Sequence, residues 1–313
     1  PDGARHDGFG CGTDMSVGVL DGTASVDRNR LPLARLWAGR NKYLLGAICV
    51  ALSTIMLLPL VLSILASLKS TAEAAQVPPI YAPTHISLDS YARLWGYQIG
   101  LLSYLANSLG TASMTIAFTL LLTVPAAYAL ARFPIRGREV LFVFLLLALI
   151  IPYQALLTPI FLMFAQWKLT NSIVGLAILH TSIQLPFSLY VLRNSFAAVP
   201  RELEEAAVMD GAGTFQVLVR IFIPSVVPAI ITVALFAFIT SWNELLGALV
   251  MMNKSSTFTL PLVLAAARTE TSLGGTDWGM LQAGVTISVV PCIVVYLLLQ
   301  RYFVSGLLSG AVK

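Results

Sequence analysis

The feature that most constrains this chain is the recurrence of apolar runs long enough to cross a bilayer. A helix needs about 20 mostly apolar residues to cross the hydrocarbon. Six stretches qualify: Tyr43–Leu68, Ala106–Ala131, Val140–Ala165, Ser172–Leu192, Ser225–Met251 and Met280–Leu299. Charges or turn residues bound each of them. In lipid every backbone N–H and C=O has to be paired within the protein, so runs of this length are expected as helices. Barrel strands would be about 10 residues long with alternating polarity, and no such alternation is present. Only 11% of the 313 residues are charged, against about 25% in a soluble domain, so a water-soluble fold would lack the charge to cover its surface. The expectation is an all-α membrane protein with six transmembrane helices.

Orientation follows from Lys and Arg. With the N-terminus inside, the N-terminal tail, the second-to-third and fourth-to-fifth connections and the C-terminal tail together hold 14 of the 19 basic residues. They include Arg28, Arg40, Arg132, Arg138, Arg201 and Arg220. The other side holds Lys69, Arg93, Lys168, Lys254 and Arg268. Positive loops stay on the cytoplasmic side, which places both termini in the cytoplasm of a multi-pass protein of a bacterial inner membrane. The same distribution accounts for the net charge of +4 without a nucleic-acid partner. Residues 1–42 lack an apolar segment and read as a cytoplasmic N-terminal tail, partly disordered, with no signal peptide. The chain opens on Pro1, and Met15 is an internal candidate start. Residues 43–313 form the transmembrane domain. Cys11, Cys49 and Cys292 are scattered and imply neither a disulfide framework nor a zinc site. Pro59, Pro125, Pro152, Pro159, Pro186 and Pro291 fall within the apolar runs, each removing a backbone donor and favouring a kink.

The longest cytoplasmic connection, residues 194–224, does not read as a simple linker. Pro200 suits the first turn of a helix, and Glu202, Glu204 and Glu205 follow where negative charge is favourable. Leu203, Ala206 and Ala207 are expected on one face. Asp210-Gly211 is a turn signal. A second short helix is expected from near Thr214, with Phe215, Leu218, Val219 and Phe222 on one face. Two short amphipathic helices exposed to the cytoplasm need a groove, on a protein or on lipid. The acidic first helix does not suit an anionic membrane and favours a protein partner over simple packing on its own bundle.

At these residues the sequence resembles a known family. Glu205-Ala206-Ala207, three residues, Gly211, nine residues, then Ile221-Phe222-Ile223-Pro224 is similar to the E-A-A-x3-G-x9-I-x-L-P loop of ABC-importer permeases, with Ile223 in place of the usual Leu. Ser67-Leu68-Lys69-Ser70, Pro78-Pro79 to Pro83, Trp242-Asn243-Glu244, and the tail from Gln300-Arg301-Tyr302 to Gly310-Ala311-Val312-Lys313 resemble carbohydrate-type permeases, most of all the six-span permease of the maltose transporter. The resemblance covers about Leu44 to Lys313. It implies a helical coupling loop between the fourth and fifth spans that docks into a separate ATPase through Glu205, Ala206, Ala207, Asp210, Gly211, Ile221 and Pro224. It also implies a second permease subunit as a heterodimer partner, two ATPase subunits and an extracytoplasmic substrate-binding protein, approached by the segment Asn253–Gly279 with its Gly274-Gly275. ATP and Mg would sit on the partner ATPase, with no cofactor bound by this chain.

Motif absences agree. There is no G-x-x-x-x-G-K-[ST] phosphate loop, no H-E-x-x-H and no G-x-S-x-G, so no catalytic residue is nominated and no metal site. Polar residues in the membrane are costly and face an interior or a water-filled cavity. Tyr153, Gln154, His180, Gln184, Trp242, Asn243 and Glu244 are therefore the candidate substrate-pathway residues, with Phe187 as a further stacking aromatic. The alternative for the polar members, and the favoured one for Asn107, is helix–helix hydrogen bonding. The expected function is the permease subunit of a binding-protein-dependent importer for a sugar or related polyol. The alternatives are an amino-acid or peptide permease, an ion-coupled secondary transporter using Glu244 and His180, and a membrane scaffold.

Overall fold

The computed structural model describes the backbone of residues 32–311, apart from residues 75, 77, 79 and 268–276, and the side chains of that set from 42 to 300. Gly274-Gly275, Pro79, the N-terminal tail before Pro32 and the side chains of the C-terminal motif from Arg301 onwards lie outside the described residues. Every described element is a helix or a turn. The long ones are α1 (Pro32–Ser67), α4 (Leu101–Arg132), α7 (Ile173–Ala198) and α14 (Trp278–Ala311). Between α1 and α4 lie α2 (Thr71–Ala74) and α3 (Asp89–Trp95). Next come α5 (Arg138–Leu147) and α6 (Tyr153–Gln166), before α7. The loop after α7 carries α8 (Arg201–Met209), α9 (Thr214–Val217), a π-helical turn (Leu218–Phe222) and α10 (Ile223–Ser225). Then follow α11 (Val227–Asn243), α12 (Leu246–Met251) and α13 (Leu260–Ala267), before α14. Residues up to Met56 form one unit and those from Leu57 a second; every site below lies in the second.

By length and apolarity four helices are able to cross a membrane: 42–67 within α1, α4, α7 and 278–300 within α14. A fifth candidate is a pair, Thr214–Ser225 with Val227–Asn243, bent by 79° at Val226. The third apolar run departs from the expected single helix. It is split into α5 and α6, of 10 and 14 residues, each short of the ~20 that cross alone. The cause is local. Ala148, Leu149 and Ile150 bond back three residues, to Leu145, Leu146 and Leu147, which tightens the helix end. Pro152 then has no N–H and pushes the residue before it out of the helical region. Pro59, Pro125, Pro159, Pro186 and Pro291 instead lie inside continuous helices.

Within the second unit α4 and α7 pack closely through small side chains. Ala112, Thr115, Thr119 and Thr123 on α4 and Ala177 on α7 are fully buried, the small-residue contact expected where lipid supplies no hydrophobic drive. At the start of α7, Ser172 Oγ accepts from Gly175 N at 3.3 Å. A Cβ on Gly175 would fall 2.0 Å from the Leu169 carbonyl oxygen, so that approach excludes every other residue.

Candidate functional site

Two regions gather the residues nominated from sequence. The first is the loop after α7. Helix α8 ends in a Schellman arrangement: Ala212 N donates to Ala207 O at 2.9 Å and Gly211 N to Val208 O at 3.0 Å, closing the last carbonyls of the helix. Gly211 has φ +83° there, which only glycine adopts without cost, so Asp210-Gly211 marks the turn as its sequence suggests. Helix α9 starts at Thr214, where the Gln216 side chain accepts from Gly213 N at 3.2 Å.

Ala207 is buried among Val199, Val217, Leu218 and Phe222, whereas Glu205, Ala206, Asp210, Gly211 and Pro224 are exposed and Ile221 is half-buried. The expected apolar faces are divided. Leu203 and Ala206 do not accompany Ala207 inward, and Leu218 and Phe222 are buried while Phe215 is 76% exposed. A π-helical turn over Leu218–Phe222, with its wider i→i+5 bonding, also shifts the rotation within the second face. Leu203, Val208, Met209 and Phe215 are exposed on the segment that contains the Asp210-Gly211 turn.

An anchor that sequence reasoning misses holds this loop to the bundle. Arg132, the last residue of α4, has a side chain only 4% exposed. It donates to the carbonyls of Phe196, at 2.6 Å, and Val199. It also lies 3.8 Å from Glu204 Oε2 and 4.6 Å from the Phe222 ring centroid. Tyr128, one turn earlier, donates to Glu204 Oε1 at 3.4 Å. From sequence Arg132 is only a topological charge, and nothing in its local context signals a partner 64 residues away.

The second region lies at the junction of α11 and α12. Glu244 interrupts the helix with extended backbone, φ −72° and ψ 123°. Its Oε1 accepts from Gly247 N at 2.7 Å and from the Tyr153 hydroxyl at 2.8 Å. Its Oε2 accepts from Ala248 N at 3.1 Å and lies 3.2 Å from His180 Nε2. His180 Nδ1 is 2.9 Å from Ser241 Oγ, itself 3.3 Å from Thr115 Oγ1. Side chains of α6 and α7 thus meet at one buried carboxylate, and α11 and α4 join behind His180 through Ser241 and Thr115. Of the nominated pathway residues, His180, Gln184, Trp242 and Glu244 are turned into the bundle. Gln184 Oε1 accepts from Thr240 at 3.2 Å, and Trp242 Nε1 donates to Ser288 O at 3.0 Å. Tyr153 is half-buried, and Gln154 and Asn243 are exposed. Asn107 donates to the carbonyls of Ser256 and Phe258, both at 3.0 Å, so its partners lie in the turn after α12 rather than on a neighbouring helix, as helix–helix bonding would require. Ser241 and Thr115 are the members that the sequence does not single out, being ordinary hydroxyl residues in apolar runs.

Residues 120–308, which include both regions, match the family model described as binding-protein-dependent transport system inner membrane component. The chain belongs to that family. It is accordingly a multi-pass membrane permease, a transport component whose ATPase is a separate subunit. Among curated relatives it is 32% identical over 251 residues to the diacetylchitobiose uptake system permease protein DasC of Streptomyces coelicolor, covering 78% of this chain and 87% of that one. It is 36% identical over 238 residues to the alpha-glucoside transport system permease protein AglG of Rhizobium meliloti, covering 74% and 61%. Among solved structures, a chain of a bacterial ABC transporter involved in the import of the acidic polysaccharide alginate superposes with a TM-score of 0.73 at 26% identity, covering 87% of this permease and 98% of that chain.

Proposed function

We propose that this permease forms half of the translocation pathway of an ABC importer for a sugar or related polyol. The reading has six spans: α1, α4, α5 with α6, α7, the bent segment from α9 to α12, and α14. Both termini are cytoplasmic, with residues 1–42 as a tail and 43–313 as the transmembrane domain. The partners are a second, different permease, two ATPase subunits that hold ATP and Mg, and an extracytoplasmic substrate-binding protein. This chain binds no cofactor. The saccharides named for its relatives support the substrate class.

The observation that carries the coupling role is the loop from Pro200 to Phe222. Its inner side is fixed to α4 through Arg132 and Glu204, while Met209 and Phe215, 87% and 76% exposed, stand beside Glu205, Ala206 and Gly211. An exposed apolar pair on a rigidly held turn is suited to a groove on a partner protein. Gln154 and Asn243 face the pathway in this reading, with Tyr153, His180, Gln184, Trp242 and Glu244 holding the frame behind them.

The test is uptake by the permease pair reconstituted with its ATPase and binding protein, offering a disaccharide, an amino acid and a dipeptide. ATP-dependent uptake of the disaccharide alone is expected. Uptake of the amino acid or dipeptide instead would overturn the substrate class. Uptake driven by a proton gradient without the ATPase would overturn the importer reading in favour of a secondary transporter.

A further inference from the structure

The third apolar run is interrupted at Ala148–Pro152 and the fifth, beyond its bend at Val226, at Glu244–Leu245, and the Tyr153–Glu244 hydrogen bond joins these two interruptions. Tyr153 is the first residue of α6. Glu244 supplies the acceptor for Gly247 N and Ala248 N, two of the otherwise unpaired donors at the start of α12. The fit is close, since a Cβ on Gly247 would fall 2.8 Å from both Glu244 Oε2 and Leu179 Cδ2. One carboxylate therefore caps α12 and fastens α6 to that cap.

The far end of α12 is fastened to the connection between α6 and α7, just before the Ser172 cap of α7. Asn171 N donates to Met251 O at 2.9 Å. Asn171 Oδ1 accepts from Asn253 N at 2.7 Å and from Lys254 N at 3.0 Å. Asn171 has φ +52°, a left-handed conformation that Asn tolerates better than most residues. Between the fastenings, Leu157 and Phe164 of α6 share one apolar cluster with Ala248 and Met251 of α12.

Breaks in a span are where rotation is absorbed when a helical bundle changes shape. Two half-helices that are joined at one end through Glu244, apolar between, and linked at the other through the α6–α7 connection resist moving apart. We propose that α6 and α12 move as one body during transport, hinging at the two breaks, and that Tyr153 and Glu244 are positioning residues that keep the two hinges in step. The proposal rests on the ATP-driven permease reading above.

The test uses the full importer complex with Cys11, Cys49 and Cys292 changed to Ser. A reporter cysteine replaces Leu249 on the exposed side of α12, where that residue is 58% exposed. Its reaction rate with a membrane-impermeant maleimide is compared between the nucleotide-free and the ATP–vanadate-trapped complex. The Tyr153→Phe variant keeps the ring, the α12 cap and the His180 contact and removes only the joint. It should assemble as the parent does, yet lose about fivefold of the state-dependent rate change, the weight of one hydrogen bond. Adding Asn171→Cys and Asn253→Cys should restore that change when the disulfide is oxidised and lose it again on reduction, a reversal that general loss of packing does not give. An unaltered rate change in Tyr153→Phe overturns the proposal. So does an oxidised disulfide that abolishes the change in the otherwise parental complex, because the end of α12 would then have to separate from the connection that follows α6. If the parental complex traps no nucleotide with vanadate, the ATP-driven reading falls, and the hinge with it.

Discussion

Replacing Arg132 with Leu isolates the anchor of the loop after α7. The guanidinium serves the Phe196 and Val199 carbonyls, faces Glu204 and covers the Phe222 ring. Leucine refills the volume and leaves two carbonyls that had charged donors. A hydrogen bond from a charged group contributes about 1.5–3 kcal/mol, and the ring contact about 0.5–2 kcal/mol. Glu204, 26% exposed in its side chain, regains some water when its partner leaves, which offsets part of the loss. A net cost of about 3 kcal/mol follows, roughly a hundredfold in the open fraction of α8. The bundle itself should persist, because α4, α7 and α11 also meet through contacts remote from Arg132. Hydrogen exchange in the purified complex reads this directly. Amides of Arg201–Met209 should exchange about a hundredfold faster, with those of Leu101–Thr123 unchanged, and co-purifying ATPase should fall. Arg132→Lys, a single ammonium without the fork, should lie between. Wild-type exchange of α8 in Arg132→Leu would refute the assignment of Arg132 as its anchor.

Gly211→Ala tests the backbone alone, since a Cβ there meets nothing within 4 Å while φ is +83°; a cost of about 1 kcal/mol should weaken ATPase co-purification mildly. Gly211→Pro, which forbids that φ and removes the N–H given to Val208 O, should abolish it. Ala207→Asp puts a carboxylate among Val217, Leu218 and Phe222 and should cost several kcal/mol unless the loop detaches; loss of substrate-stimulated hydrolysis at normal membrane insertion is the expected measurement. Between α1 and α4, the Thr84 hydroxyl bond holds the Glu73 carboxyl below its ordinary value of 4.5. A lowered folded pKa stabilises above that value and the effect is lost as pH falls through it. Thr84→Val should therefore increase proteolysis of the 69–100 segment at neutral pH, and the difference from wild type should vanish in acid. For topology, a cysteine at Asn253 should react with impermeant maleimide in intact spheroplasts, and one at Phe215 only after permeabilisation.

The long spans were legible because the bilayer sets one length and the residues obey it: α4, α7 and α14 lie over the runs from Ala106, Ser172 and Met280. The Asp210-Gly211 turn was legible for an equally local reason, the positive φ that glycine permits. Pro152 was visible in the sequence as a favoured kink, but a helix often continues through proline, as at Pro125 and Pro186, so its power to split the third run was not. The Glu244–Leu245 interruption has no proline or glycine at its centre. A carboxylate held by Tyr153 and His180, 91 and 64 residues away, substitutes for the missing helical bonding. Contacts of that kind leave no pattern in a neighbouring stretch of chain. Arg132 was hidden in the same way, and the π-helical turn at Leu218–Phe222 is one that simple helical spacing does not anticipate.

The buried hydroxyls along α4 and α7 have a consequence for how the bundle comes together. Thr111, Thr115 and Thr123 each donate to the carbonyl four residues earlier, at 2.8, 2.8 and 2.6 Å, as Thr181 and Ser188 do on the facing helix, at 2.8 and 3.0 Å. A hydroxyl already satisfied by its own helix asks nothing of its neighbour. These hydroxyls can therefore enter lipid with their own helix without being stranded, and the part of the surface they line is lubricated rather than latched. Register between them is left to shape and to the few fixed points elsewhere, of which the Glu244 carboxylate is the most heavily engaged.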